Sequence, residues 1–493
     1  MRLRALVVVA LLSWAPSAAA AKDTWITLRT QHLTITSNAG EGATRDAARR
    51  LERFVDALTS LPGGRMAADV PVNVVVFRSD AAFRSFLPRE NGRTLDVSGY
   101  FQRADDEHVI ALSLENSGAE HPLRVVFHEY AHALMARAAV VWPLWLTEGL
   151  AEFYSTFEAF GDRVAIGLPI REYGRLFQEQ ALMPLEKLFT VDRRSSMYTE
   201  GSRRNIFYAE SWLVVHYLLA ADGGRRQASL ARFIEGLDAN LPPDRAFAQA
   251  VGEPAAVDDL LRRYVRTSQF VPIATTRERQ PPVIAASIRT LSDAETEVVQ
   301  GNLLMRIGRA SEADAYFARA RALDPAASRL DEAAGFLELN RGRYELAVGH
   351  LARAIAREPS NALAHYYYAE TLRRQVTEQG RPLTPAVAGA MVEPLRTAVR
   401  LRPDFARAHY VLGYVYLVGG IQFGEGVRAI ETAIRLLPPY RAAMLTLASL
   451  HLKMGNHAAA RATAQAVIDA PDAAESIKTD ARQVLAAAGT TGR

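Results

Sequence analysis

Hydrophobic and polar positions recur along the first half of the chain with two different periods. Apolar and polar residues alternate from Trp25 to Thr36, which predicts a half-buried strand, whereas residues 43–60 carry apolar side chains at helical spacing. The same two periods predict further elements: strands at Pro71–Phe77 and His108–Leu114, a short helix at Ala81–Leu87 and a mostly helical segment over 155–270. Strands followed by helices predict an α+β domain over residues 22–270.

The second half of the chain repeats itself every 34 residues. Four pairs of small residues or prolines stand at this spacing: Gly308 and Gly342, Ala313 and Ala347, Ala320 and Ala354, Pro325 and Pro359. An alanine five positions before a proline recurs at Ala398/Pro403, Ala433/Pro438 and Ala466/Pro471. This period is typical of tetratricopeptide repeats, which are helix-turn-helix units. Residues 291–490 are therefore predicted to form an all-α solenoid of about five repeats.

Two details of the repeats carry expectations. The glycines and alanines are expected to let neighbouring helices approach closely, and about ten extra residues near Thr377–Ala386 are expected to form a loop within the third unit. The groove of such a solenoid usually binds peptides or proteins, so a protein partner is predicted there. Candidates to line the groove, with interhelical packing as the alternative, are Tyr366, Tyr367, Tyr368 and Tyr410. A purely structural array, or one docked against the first domain, is the other interpretation.

The start of the chain has the organisation of an export signal. Arg2 and Arg4 precede an apolar stretch from Ala5 to Trp14, and small residues follow to Ala21, which predicts a cleaved signal over residues 1–21. An uncleaved anchor is the alternative. No later segment is apolar for long enough to span a membrane. The Ala-, Arg- and Leu-rich composition then predicts a periplasmic or secreted protein.

Composition narrows the remaining possibilities. The chain has no cysteine, so neither disulfides nor thiolate ligands contribute, and any metal must be held by histidine and carboxylate. Loss of the two signal arginines lowers the formal net charge from +4 to +2. No basic run is interleaved with aromatic residues, and nucleic acid is therefore not an expected partner. A polar, proline-containing stretch around Pro272–Pro282 predicts a linker over residues 271–290.

The segment His128-Glu129-Tyr130-Ala131-His132 carries the chemistry. Two histidines four positions apart share one face of a helix, so both imidazoles can reach one Zn²⁺ ion, and Glu129 can act as general base. Glu148, sixteen positions after His132, is predicted as the third ligand, and water completes a catalytic site. Thr147 is expected to cap the second helix and Pro143 to turn it back on the first. One turn after Glu148, Glu152 is expected to hold a ligand histidine by its other nitrogen.

This pattern, HEYAH followed by PLWLTEGLAE, resembles the gluzincin zinc peptidases, and in particular a bacterial group of peptidase-MA-like proteins. The resemblance covers about residues 25–270. It implies a zincin-like fold in which His128, His132 and Glu148 bind zinc and Glu129 is the general base. In such enzymes a downstream tyrosine or histidine often stabilises the oxyanion. Tyr208 is the candidate for that role, with His216 and Tyr198 as alternatives.

Three functions are consistent with these features. The first is an exported zinc endopeptidase whose repeats recruit a substrate or partner. The second is a non-catalytic periplasmic scaffold or chaperone that acts through its repeats and keeps a relic metal site. The third, an aminopeptidase, lacks a recognisable amine-binding string ahead of His128. A strand at His108–Leu114 is also expected either to form the substrate-binding edge of the cleft or to lie inside the sheet.

Overall fold

The structure is a computed structural model that describes residues 23–489, except for residues 60–70, 91, 96, 98, 103, 105, 116–122, 136–141, 162, 200, 240, 268, 277–287, 439 and 471–472. The export signal predicted over residues 1–21 lies outside the described residues. Within them, no helix is both long and apolar enough to cross a membrane.

The described strands lie in the first domain and at its junction with the solenoid. They are β1 (Ile26–Arg29), β2 (Leu33–Ser37), β3 (Val72–Phe77), β4 (Arg89–Glu90), β5 (Arg93–Thr94), β6 (Gly99–Gln102), β7 (His108–Ser113), β8 (Glu158–Phe160), β9 (Arg163–Ile166), β10 (Ile273–Thr276) and β11 (Ile288–Thr290).

Helices occupy the rest of the first domain and form the solenoid. The first domain contains α1 (Glu41–Thr59), α2 (Asp80–Phe83), α3 (Leu123–Met135), α4 (Leu144–Ser155), α5 (Arg171–Glu179), α6 (Leu185–Phe189), α7 (Ser196–Thr199), α8 (Gly201–Leu219), α9 (Gln227–Asp238), α10 (Pro243–Ala250) and α11 (Pro254–Thr267). The solenoid contains α12 (Asp293–Arg306), α13 (Ala310–Leu323), α14 (Leu330–Asn340), α15 (Tyr344–Arg357), α16 (Ala362–Glu378), α17 (Pro385–Leu401), α18 (Ala406–Val418), α19 (Phe423–Leu436), α20 (Arg441–Lys453), α21 (His457–Asp469) and α22 (Glu475–Gly489).

A six-stranded sheet in the order β11-β1-β2-β3-β7-β6 forms the centre of the first domain. Strands β2, β3 and β7 are parallel, and the outer strands run antiparallel to their neighbours. The single strand predicted over Trp25–Thr36 is in fact a hairpin of β1 and β2. Its turn is held by Glu52, which accepts a hydrogen bond from the His32 backbone N–H at 3.0 Å and pairs with the His32 ring at 2.7 Å. The alternation of apolar and polar residues does not reveal this turn, because the residue that stabilises it, Glu52, lies on α1.

Strand β7 is an interior strand, so the alternative of a substrate-binding edge at His108–Leu114 is wrong. It pairs with β3 on one side and β6 on the other, and all six of its residues are buried. The edge of the sheet on this side is β6, Gly99–Gln102, which lies against α3. An edge strand is expected to be short and partly polar. The four-residue β6 fits that description, whereas the longer, fully buried β7 does not.

The two faces of the sheet are covered by different parts of the chain. In β3, Val74 and Val76 point into the core formed with α1, α3, α4 and α8, whereas Val75 and Phe77 point to the opposite side. That opposite side packs against the first repeat of the solenoid through side chains that include Val298 of α12. Because strand side chains alternate between faces, one apolar strand serves two cores. The solenoid is therefore packed directly on the first domain.

The junction between the domains is structured where a linker over 271–290 was predicted. Strand β10 pairs with β9, and β11 adds to the edge of the central sheet beside β1. Immediately afterwards the Leu291 N–H donates to the Trp25 carbonyl, and Ser292 and Glu295 form a capping box that starts α12. The prolines and polar residues of this stretch indicated a break in the pattern. They carried no information about strand pairing with residues more than 100 positions away. Residues 277–287 of the predicted linker lie outside the described residues.

The solenoid consists of five antiparallel helix pairs, α12/α13 to α20/α21, followed by α22 within the described residues. Neighbouring helices approach closely at Gly301 and Gly335, where a Cβ atom would lie 2.5 Å from Phe317 and Leu351 respectively. The predicted spacing landmarks Gly308 and Gly342 instead lie in turns with positive φ and open surroundings. The extra residues of the third unit lengthen both α16 and α17 to 17 residues as well as their connection, so they do not form only a loop.

An acidic pair from the first domain is bound by the first helices of three repeats. Asp106 and Glu107 lie between β6 and β7 and are both buried. The Arg306 guanidinium donates two hydrogen bonds to the Asp106 carboxylate, at 3.0 and 2.8 Å, and a third to Glu107 at 3.2 Å. Arg329 donates to Glu107 at 3.1 Å, and the Tyr367 hydroxyl donates to Asp106. The solenoid thus holds the segment that leads out of edge strand β6.

This contact changes the role of two predicted groove residues. Tyr366 and Tyr367 are both buried, Tyr366 against Phe405 and Tyr367 against Phe336 and Asp106. Of the predicted set, Tyr368 and Tyr410 are half-buried. The first three repeats are docked against the first domain, which is one of the alternatives that the sequence left open. Tyr368 of the third repeat and Tyr410 of the fourth are the predicted groove tyrosines that stay partly accessible.

We predict that Asp106→Asn lowers the free energy of unfolding by about 3 kcal/mol, because it leaves the buried Arg306 charge with only Glu107. Urea denaturation at neutral pH measures this loss. Asp46→Asn is the matched control, since Asp46 forms exposed pairs with Arg49 and Arg50 on α1 and is expected to cost less than about 1 kcal/mol.

The loss in free energy of unfolding caused by Asp106→Asn depends on pH in a defined direction. Burial opposes the charged form, but Arg306 holds the pKa of the Asp106 carboxyl below its usual range. The ionised contact therefore contributes its full stability above about pH 4, where the unfolded carboxyl is also ionised, and loses it as the pH falls through the folded pKa. Equal unfolding midpoints for wild type and Asp106→Asn at neutral pH would contradict the assignment of this ion pair.

Candidate metal centre

Helix α3 presents two histidines on one face and apolar residues on the other. Phe127 and Tyr130 are buried, and the Phe127 ring stacks on Phe54 of α1 with a 4.3 Å separation of ring centroids. This burial fixes the rotation of the helix, so the His128 and His132 rings lie together with centroids 4.7 Å apart. Both rings remain half-buried at the opposite face. The helical pattern around the histidines thus determines the direction in which they point.

Helix α4 supplies the carboxylates and begins directly after Pro143. The predicted cap, Thr147, is inside the first turn, where its hydroxyl donates to the Leu144 carbonyl at 2.9 Å. Pro143 occupies the N-cap position instead, because α4 starts four residues earlier than predicted. Glu148 and Glu152 are one turn apart, and both are buried. They lie on the face that packs against α3.

Three donor atoms converge between α3 and α4. The His132 Nε2 atom lies 3.1 Å from His128 Nε2 and 3.0 Å from Glu148 Oε2, and His128 Nε2 lies 3.5 Å from the same oxygen. Tetrahedral Zn²⁺ with ligand distances of about 2.0–2.1 Å separates its ligands by about 3.3 Å. Among the described residues, this is the cluster of histidine and carboxylate groups arranged to hold an ion. Two imidazole nitrogens and one carboxylate oxygen fit zinc.

The electrostatics of the cluster favour a positive charge between these side chains. Burial opposes charge on His128, yet hydrogen bonds to Glu148 and Glu152 raise its pKa to about 10. The same contacts with the histidines hold the pKa of the Glu148 carboxyl far below its usual range. Glu148 therefore stays ionised in a buried position. A cation is the species that neutralises such a set of groups, whether a proton on histidine or a metal ion.

Glu152 lies on the far side of the His128 ring from the convergent donors. Its carboxylate is 3.1 Å from His128 Nδ1 and accepts a hydrogen bond from Arg124 at 2.9 Å. Burial opposes the ionised form, but His128 and Arg124 lower the pKa of Glu152 to about 2. An ionised acceptor at Nδ1 keeps the proton on that nitrogen and leaves the Nε2 lone pair directed at the cluster. Arg124 was not predicted, although its position one turn before His128 was a usable signal.

Glu129 and two tyrosines surround the cluster. Glu129 is half-buried, and its charge contributes to the raised pKa of His128. The Tyr198 hydroxyl donates to Glu148 Oε1 at 3.1 Å, on the oxygen that does not face the histidines. The Tyr208 ring lies 6.1 Å from both the His128 ring and the Tyr198 ring, between centroids. Helices α7 and α8 thus bring both predicted tyrosines to the same side of the site.

His216 lies away from this group. It is on α8 two turns beyond Tyr208, fully buried, with its nitrogens 2.8 Å from the Tyr264 hydroxyl and 3.0 Å from the Gly167 carbonyl. Burial lowers its pKa to about 4, so the ring is neutral at pH 7. His216 is a core histidine with both nitrogens engaged. The geometry therefore favours Tyr208 and Tyr198 over it.

The glycine after Glu148 sets the distance between α4 and α8. A Cβ atom at Gly149 would lie 2.3 Å from the Ser211 carbonyl oxygen and 2.8 Å from a Val215 methyl group. Only a residue without a side chain allows this approach. Because α8 also carries Tyr208, Gly149 fixes the separation between the carboxylate ligand candidate and the tyrosine. The motif explained the glutamates around this glycine but not the glycine itself.

Comparisons with known proteins concern the repeats. A family model for the tetratricopeptide repeat matches residues 332–380. No curated protein matches the chain. This match and the five helix pairs define the C-terminal part of the chain as a tetratricopeptide-repeat region joined to an α+β domain.

Three solved structures of similar proteins have low overall superposition scores. MamA (residues 41 to the end) from Desulfovibrio magneticus RS-1 is 20% identical, with a TM-score of 0.31 over 36% of this chain and 96% of that one. YrrB, described as a TPR protein with an unusual peptide-binding site, is 19% identical, with a TM-score of 0.33 over 39% of this chain and 92% of that one. A thermophilic TPR protein from Thermus thermophilus, TTC0263, is 20% identical, with a TM-score of 0.30 over 39% of this chain and 99% of that one.

We predict that Gly149→Ala destabilises the protein by about 1–3 kcal/mol and weakens zinc binding, because the added methyl group separates α4 from α8 beside Glu148. Thermal unfolding and zinc competition with a chelator measure the two effects. Gly174→Ala in α5 is the matched control, since nothing lies within 4 Å of its Cβ position. That change is expected to be neutral or slightly stabilising. The same behaviour for both variants would contradict a close approach at Gly149.

Proposed function

We propose that this protein is an exported zinc-dependent peptidase, acting as an endopeptidase, whose repeats bind a protein partner or substrate. The observation that carries the proposal is the convergence of His128 Nε2, His132 Nε2 and Glu148 Oε2 within 3.5 Å of one another. These donors come from two packed helices and leave the side towards Tyr208 for substrate. Three protein ligands and an open position are typical of catalytic rather than structural zinc.

Each residue then has a distinct task. A bound zinc ion would polarise the scissile carbonyl and lower the pKa of water from about 16 to about 7. Glu129 accepts the proton of the attacking water and donates it to the leaving amine. Glu152, held by Arg124, orients the His128 ring through Nδ1. Tyr198 holds the outer oxygen of Glu148, which leaves Tyr208 as the donor to the developing oxyanion.

A second candidate function is a scaffold or chaperone that acts through its repeats alone. The match to the tetratricopeptide-repeat family favours a protein partner, and this part of the function does not require hydrolysis. Export to the periplasm or beyond belongs to both proposals and rests on the sequence of residues 1–21. The two candidates differ in one property, which is whether Glu129 is needed for activity.

We predict that the purified mature protein carries about one zinc ion per chain, measured by elemental analysis. Glu129→Gln is expected to keep zinc and lose hydrolysis of fluorescent casein, because only the proton acceptor is removed. His132→Ala is expected to lose the metal, because it removes one of three donors. Equal hydrolysis by wild type and Glu129→Gln would exclude the mechanism. Bound zinc without any hydrolysis by wild type would favour the scaffold.

Substitutions of Tyr208 and Tyr198 are predicted to affect different properties, the first kcat and the second zinc affinity. Tyr208→Phe is expected to lower kcat about 100-fold with zinc content unchanged, as loss of one oxyanion donor does. Tyr198→Phe is expected to weaken zinc affinity about tenfold, because the hydroxyl that orients Glu148 is gone. Tyr217→Phe on α8 is the control, since that ring packs against Tyr264 away from the cluster. Reversed effects at Tyr198 and Tyr208 would exchange their assigned roles.

A further inference from the structure

The surface formed by the first helices of the repeats, α12, α14, α16, α18 and α20, is called the first-helix surface below. In its first three repeats, this surface holds the Asp106–Glu107 segment through arginine and tyrosine side chains. Arg306 also stacks over the Phe336 ring at 5.4 Å, and Arg402 donates to the Asp106 carbonyl at 2.9 Å. The chain itself therefore shows that this surface accepts a segment with carboxylate side chains.

The same arginine and tyrosine lining continues beyond the bound segment. Tyr367 contacts Asp106, the neighbouring Tyr366 interacts with Arg407, and the Arg407 guanidinium lies 5.5 Å from the centre of the Tyr410 ring. Arg407 also donates to the Tyr440 hydroxyl at 3.0 Å, and the Tyr410 and Tyr440 rings lie 4.9 Å apart. The contacts form one continuous row from the third repeat to the fifth. The part of the surface that holds Asp106 and Glu107 and the part formed by the later repeats thus belong to one surface.

The later part of the row is partly exposed and positively charged. Arg407, Tyr410, Tyr414 and Arg441 are all half-buried rather than buried. Arg407 and Arg441 stand 34 positions apart, so they take the same place in consecutive repeats. Residues 362–457 contain eleven basic and six acidic residues, a net charge of +5, whereas the whole chain is only +4. The positive charge of the protein is concentrated in these repeats.

An acidic residue, Glu370, also belongs to this row and is paired with arginines of its own helix. Its carboxylate is buried and bonded to Arg373 and Arg374 of the same helix, at 2.7 and 2.9 Å. The Arg373 guanidinium also lies 5.9 Å from the centre of the Tyr414 ring. Aromatic rings beneath guanidinium groups hold them in place for bidentate contact with carboxylates. In this lining, Arg373 and Arg407 each lie over a tyrosine ring.

We propose that repeats three to five bind an acidic, extended segment of a protein partner, which continues along the first-helix surface from the position of Asp106. This inference deepens the partner-binding role proposed above and does not depend on the metal centre. Carboxylates of the partner pair with Arg407 and Arg441, and its apolar side chains pack on Tyr410 and Tyr414. The segment Asp106–Glu107 occupies the adjoining repeats, so the partner contacts the part of the solenoid that also holds edge strand β6.

The test uses the full chain with Glu129→Gln, so that no peptide is cleaved. A short fluorescein-labelled peptide of alternating Glu and Leu is titrated, and its anisotropy is compared with that of a Gln–Leu peptide of the same length. We expect the acidic peptide to bind at least about tenfold more tightly and its affinity to fall with added salt. Equal binding of the two peptides would overturn the proposal.

Variants locate the binding. Arg441→Gln and Arg407→Gln are each expected to weaken the acidic peptide about tenfold. Arg428→Gln is the matched control, because Arg428 lies on the second helix α19 and is 67% exposed beside Glu425. Arg441 is half-buried at the start of α20, so its variant provides the test even if Arg407→Gln disturbs the tyrosines around it. Equal losses for Arg441→Gln and Arg428→Gln would indicate non-specific attraction and overturn the proposal.

Two further readouts separate this inference from its alternatives. Zinc content is expected to stay unchanged in every arginine variant, so failure of peptide binding and failure of the metal centre are distinguishable. Light scattering over a range of concentrations tests whether a second copy of the chain is the natural occupant. A dimer that Arg441→Gln abolishes would assign the surface to self-association and overturn the proposal of an acidic partner.

Discussion

The packing of α3 against α4 is the constraint on which the proposed chemistry depends. It places two half-buried imidazoles beside two buried carboxylates, where a buried charge is costly unless another neutralises it. Arg124 neutralises one of the two carboxylates, Glu152. The carboxylates still outnumber the cationic groups unless a histidine is protonated or a cation binds. Gly149 keeps α8 close enough to complete the wall of this space. Local geometry and charge thus favour the same outcome, a positive ion between the helices.

The central sheet connects this centre with the repeats. One face of β3 and β7 forms the core beneath α3, and the other face packs against α12 and α13. The edge strand β6 lies beside α3, and the acidic segment after it is bound by three repeats. The solenoid is therefore a layer of the first domain as well as a binding surface. The repeats and α3 are thus connected through β6 and the Asp106–Glu107 segment.

Sequence reasoning was strongest where the interaction was local. The four-residue spacing of His128 and His132 specifies one helix face, and Glu148 lies on the next helix along the chain. The 34-residue period likewise predicted helix pairs that the structure contains. Sequence reasoning was weaker for Tyr208, His216 and Tyr198, because their distance from the histidine motif depends on how α7 and α8 pack. Arg124 was overlooked, although it lies only one turn from His128.

The amino-acid sequence by itself determined the two kinds of repeating pattern, the histidine and glutamate candidates for a metal site and the absence of cysteine ligands. These follow from the periods of helix and strand and from side-chain chemistry, which require no knowledge of distant neighbours. Only the tertiary structure decided that β6 is the edge, that β11 closes the junction and that Asp106 occupies the solenoid. Each of these depends on pairing between residues far apart in the chain, and such pairing is set by the burial of whole surfaces rather than by any local pattern.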